Sequence, residues 1–206
     1  KVGFMEKLKV ETVTDLTPAK WVQETLLPWA EEGHLHLGSI IPPGFESYIS
    51  IRCANRDPKI GPEGLLDYAN LSELLSRNTS TPEVCYMALW YGFGWNVKEE
   101  FPYLFEEIDF PENFFLEIPN RSYYLFKGSI EENLKIGHKL GNHFFHEPIN
   151  MMWPEDKSWF FAKEIDFDVC LIGGSHELIS QIVSSGDFIT EPFAPIQRTN
   201  EIFICD

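Results

Sequence analysis

The chain has few basic residues for its acidic ones: 16 Lys and Arg face 32 Asp and Glu, a formal net charge of -16. Repulsion from phosphate backbones and anionic lipid surfaces sets it against nucleic-acid and membrane-surface binding and favours a basic protein partner or a cation. Cysteine is scarce as well. The four thiols, Cys53, Cys85, Cys170 and Cys205, sit in apolar runs and form no CxxC pair. They read as small buried hydrophobes in a reducing compartment. No apolar run reaches the ~18 residues of a membrane helix, and no signal-type segment opens the sequence, so the expectation is a soluble, cytoplasmic protein.

The nucleotide-binding and catalytic fingerprints are missing too. There is no GxGxxG, no GxxxxGK[ST], no HExxH and no GxSxG, so no cofactor is implied and no nucleophile can be singled out. Catalytic triads converge in space and not in sequence, which leaves the question of an enzyme open.

What is present is a strongly aromatic, globular composition, 44% hydrophobic and 15% aromatic over 206 residues. A chain of this length can bury roughly 70% of its unfolded surface without a disulfide or metal. Residues 1–206 read as one domain, with no internal repeat and no linker.

The richest stretch runs from Trp153 to Ile182. Pro154, Glu155 and Asp156 predict a turn, Trp159 to Ile172 one aromatic and β-branched strand, Gly173 and Gly174 its break, and Ser175 the cap of a helix through Leu178, Ile179, Ile182 and Val183.

Elsewhere, Thr17 and Pro18 predict a helix start, with Gly33 as its stop and Pro28 a kink or an end near Leu27. Strands are expected at Leu35 to Ile41, at Tyr48 to Cys53 with one face buried, at Glu83 to Tyr91, Phe114 to Ile118 and Ser122 to Phe126, and at the edge from Ile202 to Cys205. Helices are expected through Leu66, Leu71, Leu74 and Leu75, near Val97 to Glu107, and after Ser129. Strands and helices interleave without a regular strand-helix repeat. The predicted class is therefore α+β, a mostly antiparallel mixed sheet with helices packed mainly on one side.

Four groupings are candidates for function. Glu164, Asp166 and Asp168 alternate along the expected strand, which places them roughly 7 Å apart on one face, able to share a cation or a hydroxyl, or simply to face solvent. Gly173, Gly174 and Ser175 could cradle an anion at a helix start, or serve as a turn and cap. His138, His143 and His146 are metal-ligand types, yet Gly137 and Gly141 interrupt the helix that would align them, and no metal site is assigned. Trp95, Trp153 and Trp159 could anchor a partner or fill the core, with Arg121 beside Tyr123 as a carboxylate clamp. The candidate binding residues are thus Trp95, Arg121, Tyr123, Trp153, Asp156, Trp159, Glu164, Asp166 and Ser175.

Four blocks, IIPPGFESYISI at 40–51, CYMALWYGFGW at 85–95, NRSYYLFKGSI at 120–130 and WPEDKSWFFAKEIDFDVCLIGGS at 153–175, resemble an uncharacterised family of bacterial proteins. The last block carries most of the likeness, through Trp153, Pro154, Asp156, Trp159, Glu164, Ile165, Asp166, Gly173, Gly174 and Ser175. The segment from His138 to His146 departs from that pattern. A more distant similarity, on Pro43-Gly44-Phe45-x-x-Tyr48, the aromatic strands and the late glycine pair, is to SUKH-type immunity and adaptor proteins. It implies a small cytosolic α+β domain that binds other proteins, and an acidic member would suit a basic toxin.

Two readings follow: a non-enzymatic interaction domain, or a small-ligand or divalent-metal-dependent enzyme with Arg121, Glu164 and Asp166 in one cleft. Exposure of the tryptophans would favour the first, convergence of the polar groups in a cleft the second.

Overall fold

The computed structural model describes residues 8–28, 35–52, 62–93, 110–118, 121–140, 143–146, 149–167 and 169–199. In chain order the regular elements are β1 (Glu11–Thr12), α1 (Lys20–Thr25), β2 (Ser47–Arg52), α2 (Pro62–Arg77), β3 (Cys85–Trp90), β4 (Leu116–Ile118) and β5 (Arg121–Gly128). They continue with β6 (Gly137–Leu140), β7 (His143–His146), β8 (Met151–Pro154), β9 (Phe160–Ala162), β10 (Val169–Gly174), α3 (His176–Ser185) and β11 (Ile189–Pro192). The class is α+β, as the sequence predicts.

Nine strands form one sheet in the order β1-β5-β3-β8-β9-β10-β2-β11, with β4 sharing the outer side of β5 with β1. Every described pairing is antiparallel. Strands β6 and β7 form a separate hairpin. No described helix is long and apolar enough to cross a membrane.

Alternation along the strands sends side chains to two apolar layers. Ile49, Ile51, Met87, Leu89, Tyr124, Phe126, Phe161 and Ile172 face α2 and α3, meeting Leu71, Leu75, Leu178 and Ile182. Tyr86, Ala88, Tyr123, Leu125, Trp153, Phe160 and Leu171 face the other way, covered by Val22 and Leu26 at α1 and by Leu37, Ile40 and Ile41. Two of the three helices thus share one side. Because both faces are covered, β10 is buried at all six positions and β2 also buries Tyr48 and Ser50, which corrects the one-face reading of that strand.

Other expectations shift for identifiable reasons. The first helix closes at Leu26, whose ψ of 137° leaves the helical region two residues before Pro28. Leu37–Ser39 is a 3-10 turn and not a strand, tied to the chain's later part by Leu37 N–H to Gln197 O and Gly38 N–H to Pro195 O. The helix after Ser129 is a 3-10 segment, Ile130–Lys135. The expected helix at 97–107 and the strand at 202–205 lie outside the described residues.

The largest departure is in the richest stretch. The run from Trp159 to Ile172 is two antiparallel strands, with Ala162 opposite Leu171, so the chain reverses between β9 and β10. Conversely, Gly173 and Gly174 do not break a strand: they are the last two residues of β10, opposite Tyr48 and Ser47. Their role is close approach. A Cβ on Gly173 would stand 2.7 Å from the Phe45 ring and 2.9 Å from that of Tyr48, and one on Gly174 2.7 Å from Leu178.

Candidate functional site

The reversal between β9 and β10 brings two of the acidic residues to Arg121, the first residue of β5. The Arg121 guanidinium lies 2.6 Å from Glu164 Oε1 and 2.9 Å from Asp166 Oδ2, and over the Trp90 ring at 5.2 Å from its centroid. Trp90 ends β3 opposite Tyr123, so the sheet register itself assembles the group. The carboxylates do not alternate along one strand as expected. The 163–167 segment is instead pinned by polar contacts: Glu164 Oε1 accepts the Ile165 N–H at 3.1 Å, Phe167 N–H reaches Glu164 O at 3.2 Å, and Lys163 Nζ donates to Phe167 O at 3.0 Å. Asp168 lies outside the described residues.

The side chains of Arg121 and Glu164 are 16% and 9% exposed, that of Asp166 73%. Burial raises the Glu164 pKa, with the Arg121 charge opposing it. Burial likewise pushes the Tyr123 phenol well above its usual range; Glu164 adds to that shift and Arg121 opposes it. Both carboxylates approach one guanidinium nitrogen, Nη2, while the buried Nε has no hydrogen-bond partner among the described residues. The carboxylates are thus engaged by a cation the chain supplies itself.

The other candidates are structural in geometry. Trp153 is fully buried, stacked on Phe160 at 5.5 Å and 7° and on Tyr86 at 5.8 Å, with Trp21 edge-on at 6.2 Å. Trp159 is fully buried in the opposite layer, and its indole N–H donates to Leu75 O at 2.9 Å, tying β9 to the C-terminal turn of α2. Asp156 accepts from the Ser80 amide and hydroxyl, both at 2.7 Å, and from the Ser158 amide at 3.0 Å. Partial burial acts to raise its pKa, but these hydrogen bonds outweigh it and hold the carboxyl far below the usual range. Ser175 caps α3 as predicted, accepting the Leu178 N–H at 3.1 Å. Trp95 lies outside the described residues.

His138 and His143 fall on the paired strands β6 and β7, opposite Phe145 and Leu140, and not on a helical turn. Among the described residues no group of three His, Cys, Asp or Glu is placed to hold a metal ion. Cys85 and Cys170 are buried, and burial, with Asp156 and Glu83 adding, pushes the Cys85 thiol up to about 12.

Three arrangements escaped the sequence reading. Ser47 Oγ contacts His176 Nδ1 while Glu46 accepts the His176 N–H at 3.0 Å, fastening the start of β2 to the start of α3. Only folding brings these residues together. A groove of about 540 Å³ runs between α2 and the 130–135 turn, lined by Ala69, Ser72, Ser76, Arg77, Leu134 and Lys135 among others, and holds none of the predicted site residues. Beside it Asn133, His146, Tyr68 and Cys170 form a buried polar chain.

No family model, curated protein or solved structure matches this chain. Functional inference therefore rests on its own charge and geometry.

Proposed function

We propose that the protein is a non-enzymatic, cytosolic interaction domain that engages a basic protein partner. The observation that carries this reading is the excess of 32 acidic over 16 basic residues, which would steer a cationic surface toward the domain. The burial of Trp153 and Trp159 removes them as anchors and moves that role to Tyr91 and Phe114, 43% and 48% exposed. Tyr91 packs on Phe115, the neighbour of Phe114, with ring centroids 4.9 Å apart, so this aromatic surface lies where β3 ends. Arg121 and the exposed Asp166 carboxylate lie at the same end of the sheet.

The test is retention from host lysate on the immobilised chain at 50 and 500 mM salt, beside a Tyr91→Ala/Asp166→Lys variant. A basic protein held at near-equal stoichiometry, released by salt and weakened at least tenfold in the variant, is the expected result. A blank with a folded bait, or a partner indifferent to both salt and variant, overturns the reading.

The second reading, a ligand- or metal-dependent enzyme, has one observation in its favour: Arg121, Glu164 and Asp166 do meet. They meet as ion pairs with one another, the two carboxylates sharing one guanidinium, which supports a structural role over a site awaiting substrate.

A further inference from the structure

The β6–β7 hairpin pairs only with itself among the described strands, and its described side-chain contacts with the body lie at its base. Ile136 and Ile149 flank it and enter the core layer under α2. Between them His146, the last residue of β7, turns inward. Its Nε2 lies 3.1 Å from the Asn133 carbonyl, which fixes the proton on that nitrogen, and its ring packs on Tyr68 at 4.9 Å. Asn133 in turn donates to Ser72 Oγ at 3.0 Å, and Tyr68 OH meets Cys170 Sγ at 3.4 Å, so the histidine joins the 130–135 turn, α2 and β10 in one chain of polar contacts.

We propose that His146 is an acid-sensitive latch: its protonation releases the β6–β7 hairpin from α2 and the 130–135 turn while the nine-stranded sheet stays folded. The inference stands apart from the partner reading above.

The groups around the imidazole give a second proton no compensation. Tyr68 offers the face of its ring, with its hydroxyl against Cys170 Sγ. On the 130–135 turn the Glu132 carboxylate is already held by the Lys9 amide at 2.6 Å and by Lys135 Nζ at 2.8 Å. On α2 Glu73 pairs with Arg77 on the solvent side. No described carboxylate pairs with His146, so an imidazolium there would be a largely desolvated charge without a counter-ion.

The direction follows from linkage. Burial lowers the docked pKa of His146 to about 4, against 6.5 for the free side chain. The released hairpin therefore binds more protons than the docked one throughout that interval, and acidification favours release. For those two values the opening equilibrium rises about 20-fold between pH 7 and pH 5.

Hydrogen exchange at pH 7 and pH 5, corrected for intrinsic rates, reads this directly. Amides of 137–146 are expected to lose protection about 20-fold more than those of β10 and α3, and His146→Gln, which keeps a donor for the Asn133 carbonyl but does not titrate, is expected to abolish the difference. Equal loss across the sheet, no pH effect, or the same effect in the variant would overturn the latch. Should the variant not fold, the wild-type imidazole resonance decides. A midpoint below about 5 that coincides with the hairpin's chemical-shift change supports the proposal, and a midpoint near 6.5 refutes it.

Discussion

At the scale of single residues, Arg121 shows how a polar group can look like a site and act as a brace. Its guanidinium neutralises Glu164, which burial alone would push toward protonation, and adds Asp166 to the contacts that hold the 163–167 segment. Arg121→Ala should leave Glu164 buried without a partner and cost about 2–3 kcal/mol by urea unfolding, somewhat below a fully buried pair because Asp166 is exposed. Adding Glu164→Gln to it should recover at least half of that loss, since the stranded charge is gone, whereas Asp166→Asn alone should stay within about 0.5–1 kcal/mol. A single Arg121→Ala indistinguishable from wild type would show that the pairs do not form in solution. The sequence put Arg121, Glu164 and Asp166 together as one candidate cleft, but it had the acids alternate along one strand. The contact with Arg121 spans more than forty residues, and only the fold sets it.

At the scale of elements, local signals were legible where the physics is local. Ser175 at a helix start, Leu178 and Ile182 on its buried face, and the alternation of β3 and β5 are all readable from neighbours. Ser175→Ala should therefore behave as an ordinary cap deletion and lower stability by about 1 kcal/mol, with the amide of Leu178 losing exchange protection first. A loss of 3 kcal/mol or more would mean that Ser175 does more than cap. What local signals missed were two decisions made by tertiary packing. The reversal between β9 and β10 has no Gly or Pro to announce it, its 163–167 segment being held by Arg121 and by side-chain bonds to the backbone. The Gly173-Gly174 pair looks like a turn, yet its glycines are there because Phe45, Tyr48 and Leu178 occupy the space a Cβ would need. The histidine segment was opaque for a related reason: Gly137 excludes a helix, but only a partner strand shows it to be a hairpin.

At the scale of the whole molecule, two apolar layers around one antiparallel sheet account for the chain's aromatic content. Trp153 and Trp159 lie on opposite faces of the sheet and are fully buried there. The acidic excess has no such structural use, and most described acids away from Arg121 lie at the surface. A net charge of -16 then works against the compact state through self-repulsion that salt screens over a Debye length of about 10 Å at 0.1 M. Raising sodium chloride from 10 to 200 mM should recover about 1 kcal/mol, seen as an increase of about 2–4 °C in Tm for a chain of this size. The same salt should weaken a basic partner's binding. Opposite responses of stability and binding are the signature of charge retained for an encounter, at a cost to the fold. A Tm that is flat or falls over this range would mean that surface ion pairs already compensate the acids, and the charge would lose its standing as the argument for a basic partner.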